Sequence, residues 1–155
     1  NSSAASDVYK RQSIDRLNYL LEMSKLKGKE NLYPNQLSGG MKQRTAVVRA
    51  LASKPEVLLM DEPLGAIDFQ MRQMMQEELE SLWLKDKTTV IMVTHDVDEA
   101  VYLSDRVIVF AAKGGKIIKD MKISLPRPRN RDNHKYLELK KELTNILKDS
   151  LSQNL

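Results

Sequence analysis

A chain of 155 residues is long enough to bury a real core in one domain, and 30% charged with 41% hydrophobic residues is the composition of a globular protein. It has no cysteine, which excludes disulfide staples, thiolate zinc sites and cysteine nucleophiles and is compatible with a reducing compartment; nor does any apolar run approach the ~18 residues of a membrane span. The net charge of +4 is mild and gathers between positions 119 and 148, which suits a solvated basic face better than a nucleic-acid or anionic-membrane surface.

Residues 1–12 hold no apolar stretch of a secretory signal. The run Asp7, Val8, Tyr9, Lys10, Arg11, Gln12 resembles the translation of a sequencing-library adaptor, so residues 1–12 are set aside as a non-native leader. A short disordered leader would have the same polar composition. From Ser13, apolar positions Ile14, Leu17, Leu20, Leu21 and Met23 recur at helical spacing, with Gly28 as the stop after Leu26. A polar loop with Pro34 leads into Leu37, Ser38, Gly39, Gly40, Met41, Lys42, Gln43 and Arg44. There a serine N-cap followed by two glycines leaves the first N–H groups of a helix open, and the helix dipole makes that end attractive to phosphate. Ser-Gly-Gly alone suits an ordinary capped surface helix equally well. Val47, Val48, Leu51 and Ala52 form its expected buried side, and Lys54-Pro55 ends it.

Residues 57–60 are a short apolar run, expected as a strand buried on both faces. Asp61 and Glu62 follow at its carboxyl end, the edge where open α/β sheets bind ligands, although two adjacent acids are also common in plain loops. Asp68 caps a helix expected through Leu84, whose Met71, Met74, Met75, Leu79, Leu82 and Trp83 read as core. Residues 88–94 contain a second strand, and His95 stands directly beyond it. Asp96 or Asp98 then opens a helix through about Leu103. A strand over 106–112, a Gly114-Gly115 hairpin turn and a weaker strand over 116–123 follow. Residues 125–129 (Leu-Pro-Arg-Pro-Arg) read as a linker, and Tyr136, Leu139, Leu143, Ile146 and Leu147 mark a last amphipathic helix. Alternating strands and helices argue for an α/β fold with a mostly parallel sheet.

Residues 37–44 resemble the signature segment of ATP-binding cassette (ABC) ATPases, 57–63 their Walker B strand, 64–68 their D-loop and 94–96 their switch-histidine segment. The similarity continues through Asp98, Glu99, Ala100 and Ser104, Asp105, Arg106, Val107. Within that family, residues 61–68, Glu77-Glu78-Leu79 and 125–129 are most similar to the nitrate/sulfonate/taurine importer type. The resemblance implies the C-terminal part of a P-loop NTPase domain, with a mostly parallel sheet flanked by helices, part of the helical signature subdomain and a C-terminal helix. A partial ATPase domain would occupy 13–123, divided into a helical signature region (13–52) and the Walker B to C-terminal strands (53–123), followed by a linker and helix over 124–155.

The chemistry so implied is Mg-ATP hydrolysis coupled to solute import, in which positioning and electrostatics do most of the work. Asp61 would hold Mg²⁺ through water, Glu62 would serve as general base, and His95 would donate to the γ-phosphate. Leu37, Ser38, Gly39, Gly40 and Met41 would bind a nucleotide held mainly by a second ATPase subunit, a homodimer partner, with Asp68 at the seam. Many relatives have Gln where this chain has Met41, and some related transporters carry Met. Transmembrane permease subunits, and through them a substrate-binding protein, complete the implied bacterial assembly at the cytoplasmic face of the membrane. No nucleic-acid partner is expected.

None of the six glycines opens a G-x-x-x-x-G-K-[ST] phosphate loop, and Gln36 belongs to the lead-in of the signature and is not the permease-facing glutamine of the family. The expectation is an N-terminally truncated fragment whose gene was cut before Ser13. The family places the phosphate-loop strand between the strand ending at Thr94 and the strand over 106–112, so its absence would leave uncovered apolar faces, poor solubility and negligible ATP hydrolysis. Two other readings remain. An ABC ATPase of a DNA-repair or translation machine usually interrupts the fold with coiled coils or duplicates it, and 61–109 runs without such an insertion. A non-catalytic adaptor has no evident use for Glu62 and His95.

Overall fold

The computed structural model describes residues 2–111 and 113–152, with the side chains of 2–10, 86 and 152 left aside. In chain order the elements are α1 (Ser2–Met23), a 3₁₀ turn (Pro34–Gln36), α2 (Gly39–Ala52), β1 (Val57–Asp61), α3 (Phe69–Asp86), β2 (Thr89–Val93), α4 (Val97–Leu103), β3 (Arg106–Phe110), β4 (Ile117–Lys122) and α5 (His134–Ser152). The chain divides into two compact units between Val93 and Thr94.

In the first unit, α1 starts at Ser2 and not at Ser13. Residues 2–12 contain neither proline nor glycine, so a helix anchored by its packed second half propagates back through them. It stops five residues before Gly28. Ser24 Oγ donates to Leu20 O at 2.7 Å, Lys25 takes the left-handed φ of 53°, and the amides of Leu26 and Lys27 fold back onto Leu21 O at 2.8 and 3.1 Å. Leu20, Leu26, Val48 and Leu82 form the shared core of α1, α2 and α3. Arg16 fastens the pair from outside by donating to Leu51 O at 2.8 Å. On α2, Val47 and Val48 are buried and Leu51 half-buried, but Ala52, at the end of the helix, is exposed. Ser53 and Lys54, with φ of 47°, close the helix before Pro55 is reached.

Strands β1 and β2 pair in parallel with Val57 opposite Thr89 and Asp61 opposite Val93. The expectation of a strand buried on both faces is corrected here. Leu58 is buried while Leu59 is 71% exposed, and on β2 Ile91 and Val93 are also exposed; alternate strand residues share a face, so these three lie on the same, exposed face of the sheet. On α3 the buried stripe is Met75, Gln76, Leu79, Glu80 and Leu82. Met74 shares the helical spacing but lies at the rim of that stripe and is exposed, and two polar side chains occupy core places the apolar pattern did not mark.

In the second unit, β3 and β4 form the expected antiparallel hairpin, with Val107 opposite Met121 and an irregularity between Val109 and Phe110. Gly114 (φ 80°) and Gly115 (φ 62°) supply the left-handed backbone of its turn. Strand β3 ends at Phe110, and Ala112 lies outside the described residues. Val101 and Tyr102 from α4, Val109, Met121 and Ile123 from the hairpin, and Tyr136 and Leu143 from α5 make one core. The segment read as a linker is docked. Arg127 donates to Leu103 O at 2.8 Å and Arg129 to Tyr102 O at 3.0 Å, and both reach Asp105, so two guanidinium groups satisfy carbonyls at the open end of α4.

Candidate functional site

At the start of α2, Ser38 is the N-cap in extended backbone, and its Oγ accepts from Met41 N at 3.2 Å. Ser38 and Gly39 are exposed, and Leu37, Gly40 and Met41 are half-buried. A Cβ built on Gly39 would meet nothing within 4 Å, so no packing inside this chain demands glycine there. At Gly40 it would sit 3.5 Å from Ala66 O, an ordinary van der Waals contact that shows α2 packed against the turn after β1.

That turn is built around Glu62. Asp61 closes β1, and Glu62 N still donates to Val93 O at 2.8 Å, extending the ladder by one bond. Glu62 then takes φ of 43°, a left-handed conformation that costs a non-glycine residue ~1–3 kcal/mol and persists only where its surroundings hold it. Its carbonyl accepts from Gly65 N at 3.2 Å and from Gln43 Nε2 at 2.5 Å, while Gln43 Oε1 accepts from Ala66 N at 2.7 Å. Pro63, Leu64 and Ile67 are buried beneath the turn, leaving the Asp61 and Glu62 side chains exposed. Asp68, also exposed, caps α3 by accepting from Met71 N at 3.0 Å. Residues 37–41, Asp61, Glu62 and Asp68 all lie on the first unit, where α2 meets the turn after β1 through Gly40 and Gln43.

His95 stands on the second unit, exposed, between two anchored neighbours. Thr94 Oγ1 donates to the buried Glu99 carboxylate at 2.7 Å and accepts from Asp96 N at 3.0 Å. The Asp96 carboxylate caps α4 by accepting from the amides of Asp98 at 2.7 Å and Glu99 at 3.3 Å, which settles the start of that helix. Sequence reasoning missed Gln43 and Glu99. Gln43 was inside the signature octet without a role, because its contacts lie 19 and 23 residues away and no local spacing announces them. Glu99 looks like one more acid in a helix's first turn.

A parallel strand pair delivers two carboxylates to its C-terminal edge beside a capped Gly-Gly helix start, the arrangement that the resemblance to ABC ATPases implies. The comparisons agree. The sequence profile described as ABC transporter matches residues 2–65. An ABC transporter ATP-binding protein of Methanocaldococcus jannaschii is 50% identical over 96% of this chain and 55% of its own length. The aliphatic sulfonates import ATP-binding protein SsuB of Bacillus subtilis is 52% identical over 78% of this chain and 46% of its own. A dimeric ATP-binding cassette in a post-hydrolysis state, bound to ADP and Pi, superposes with a TM-score of 0.62 at 36% identity, covering 70% of this chain and 46% of that one. The chain is a homologue of the ATP-binding proteins of ABC transporters, and it spans about half the length of the curated relatives it matches.

Proposed function

We propose that this chain supplies the signature, Walker B, D-loop and switch segments of the ATP-hydrolysing subunit of an ABC importer, of the kind that takes up sulfonate-like or related small anions. The observation that carries the reading is the joint between the two motifs on the first unit, where Gln43 of the signature helix bonds both ends of the turn that holds Glu62. The similarity to SsuB supports the sulfonate side of the proposal.

ATP held on a partner subunit would meet the open N–H groups of α2, with Ser38 and the two glycines facing its γ-phosphate. Glu62, exposed at the sheet edge, orients the attacking water and accepts its proton, and His95 donates to the γ-phosphate. Asp68 lies at the start of α3, beside the partner. Asp61 fits a divalent cation held through its water shell, because its exposed carboxylate offers hard oxygen donors at the end of β1. Mg²⁺ bound there would neutralise phosphate charge during transfer. None of the described helices is long and apolar enough to cross a membrane. In the importer proposed here, permease subunits would provide the path and this subunit would sit against them at the cytoplasmic face.

The test extends the reading frame upstream to a cassette that carries a phosphate loop and measures Mg-ATP hydrolysis. Wild type is expected to turn over, and Glu62→Gln to keep ATP binding while losing at least ~10²-fold in rate. Unchanged turnover in Glu62→Gln would remove that residue from the base role. Robust hydrolysis by the 155-residue chain alone would overturn the proposal that the phosphate loop comes from elsewhere.

A further inference from the structure

We propose that Gln43 is a positioning residue for Glu62, a two-point latch that makes the start of the signature helix and the turn carrying the base move as one piece. The inference rests on the reading of Glu62 as general base.

Gln43 lies one turn beyond the Ser38 cap and is half-buried. Its planar amide supplies one donor and one acceptor on adjacent atoms. Both are used on the same turn: Nε2 donates to Glu62 O at 2.5 Å and Oε1 accepts from Ala66 N at 2.7 Å. Those two backbone groups are the ends of the reversal that Gly65 N closes onto Glu62 O at 3.2 Å. The left-handed φ of 43° at Glu62 needs such support, because without it the residue would relax towards ordinary backbone and re-aim its carboxylate. Gly40 also faces this turn, since a Cβ placed there would make ordinary contact with Ala66 O at 3.5 Å. In the proposed dimer the end of α2 serves the nucleotide of one site and Glu62 that of the other. A rigid latch between them would pass a displacement at one site to the base at the other.

The test uses Gln43→Met, which keeps length and loses both hydrogen bonds, and Gln43→Glu, which keeps an acceptor for Ala66 N but sets a carboxylate against Glu62 O. In the chain itself, amide exchange of Ala66 is expected to speed roughly 10-fold in Gln43→Met and to stay protected in Gln43→Glu, with Val47 and Val48 unchanged in both. In the extended cassette both variants are expected to lose roughly 10-fold in kcat with KM held within about twofold, the signature of a misplaced reacting group. Unchanged Ala66 exchange in Gln43→Met would overturn the latch. So would unchanged kcat in both variants, or equal losses in kcat and binding that follow a general loss of stability. Glu62→Gln is measured alongside: if it retains turnover, the base assignment fails, while the Ala66 exchange still reports on the latch.

Discussion

At the scale of single residues, Asp98 shows how a local charge ties a helix to its neighbours. Its carboxylate accepts from Tyr136 Oη at 2.9 Å and Lys140 Nζ at 2.7 Å, with Arg131 Nε at 3.5 Å, and its side chain is only 18% exposed. Burial by itself would push this carboxyl up, but the hydrogen bonds from Lys140 and Tyr136 and the two nearby cations outweigh it and hold Asp98 below its ordinary value. Tyr136 moves the other way: burial, then the Asp98 charge, raise its phenol far above the usual range, so it remains a donor. A depressed folded value means that Asp98 contributes stability fully present above its unfolded pKa of ~4 and lost as pH falls through the lower folded value. Asp98→Asn is expected to lower unfolding free energy by ~1–3 kcal/mol at pH 7, with the gap to wild type closing below about pH 4. Urea titrations at the two pH values measure it. A gap that stays constant would assign the loss to packing.

At the scale of elements, the helix starts are the best-determined parts of the chain. Ser38, Asp68 and Asp96 each accept amide hydrogens from the first turn of α2, α3 and α4. Asp68→Ala is expected to cost ~1 kcal/mol and to fray the beginning of α3, read by urea unfolding and by faster amide exchange at Met71. These caps, the four strands and the Gly114-Gly115 turn were legible in sequence because each is set by residues within a few positions of itself. What was not legible depends on distant partners. The exposed face of β1 and β2 follows from which layers cover a sheet, and an all-apolar strand carries no alternation to report it. The stop of α1 at Met23 depends on Lys25 accepting a left-handed backbone, which lysine does not advertise. The site followed the same division. Asp61 and Glu62 were placed by the strand before them, whereas the Gln43 bridge spans 19 residues and needed the fold to be seen.

At the scale of the whole molecule, two units each rest on a two-stranded sheet, which is marginal without further strands or a covering layer. Val57, Leu59, Ile91 and Val93 on one, and Ile108, Phe110 and Ile117 on the other, are exposed apolar side chains on strands with open edges, which favours association. Leu59→Lys is expected to raise the soluble fraction of the chain and to change its unfolding free energy by less than ~0.5 kcal/mol. Light scattering and urea titration check the two halves, and a large destabilisation would show that Leu59 is covered in solution. The docking of residues 125–129 has a practical consequence for engineering. A reporter segment or recognition tag introduced between Lys113 and Lys116 would enlarge an exposed hairpin tip. The same insert between Arg127 and Arg129 would drag their guanidinium groups off the carbonyls of α4. The permissive site of this unit is thus its glycine turn, and the proline-rich stretch is one of its fastenings.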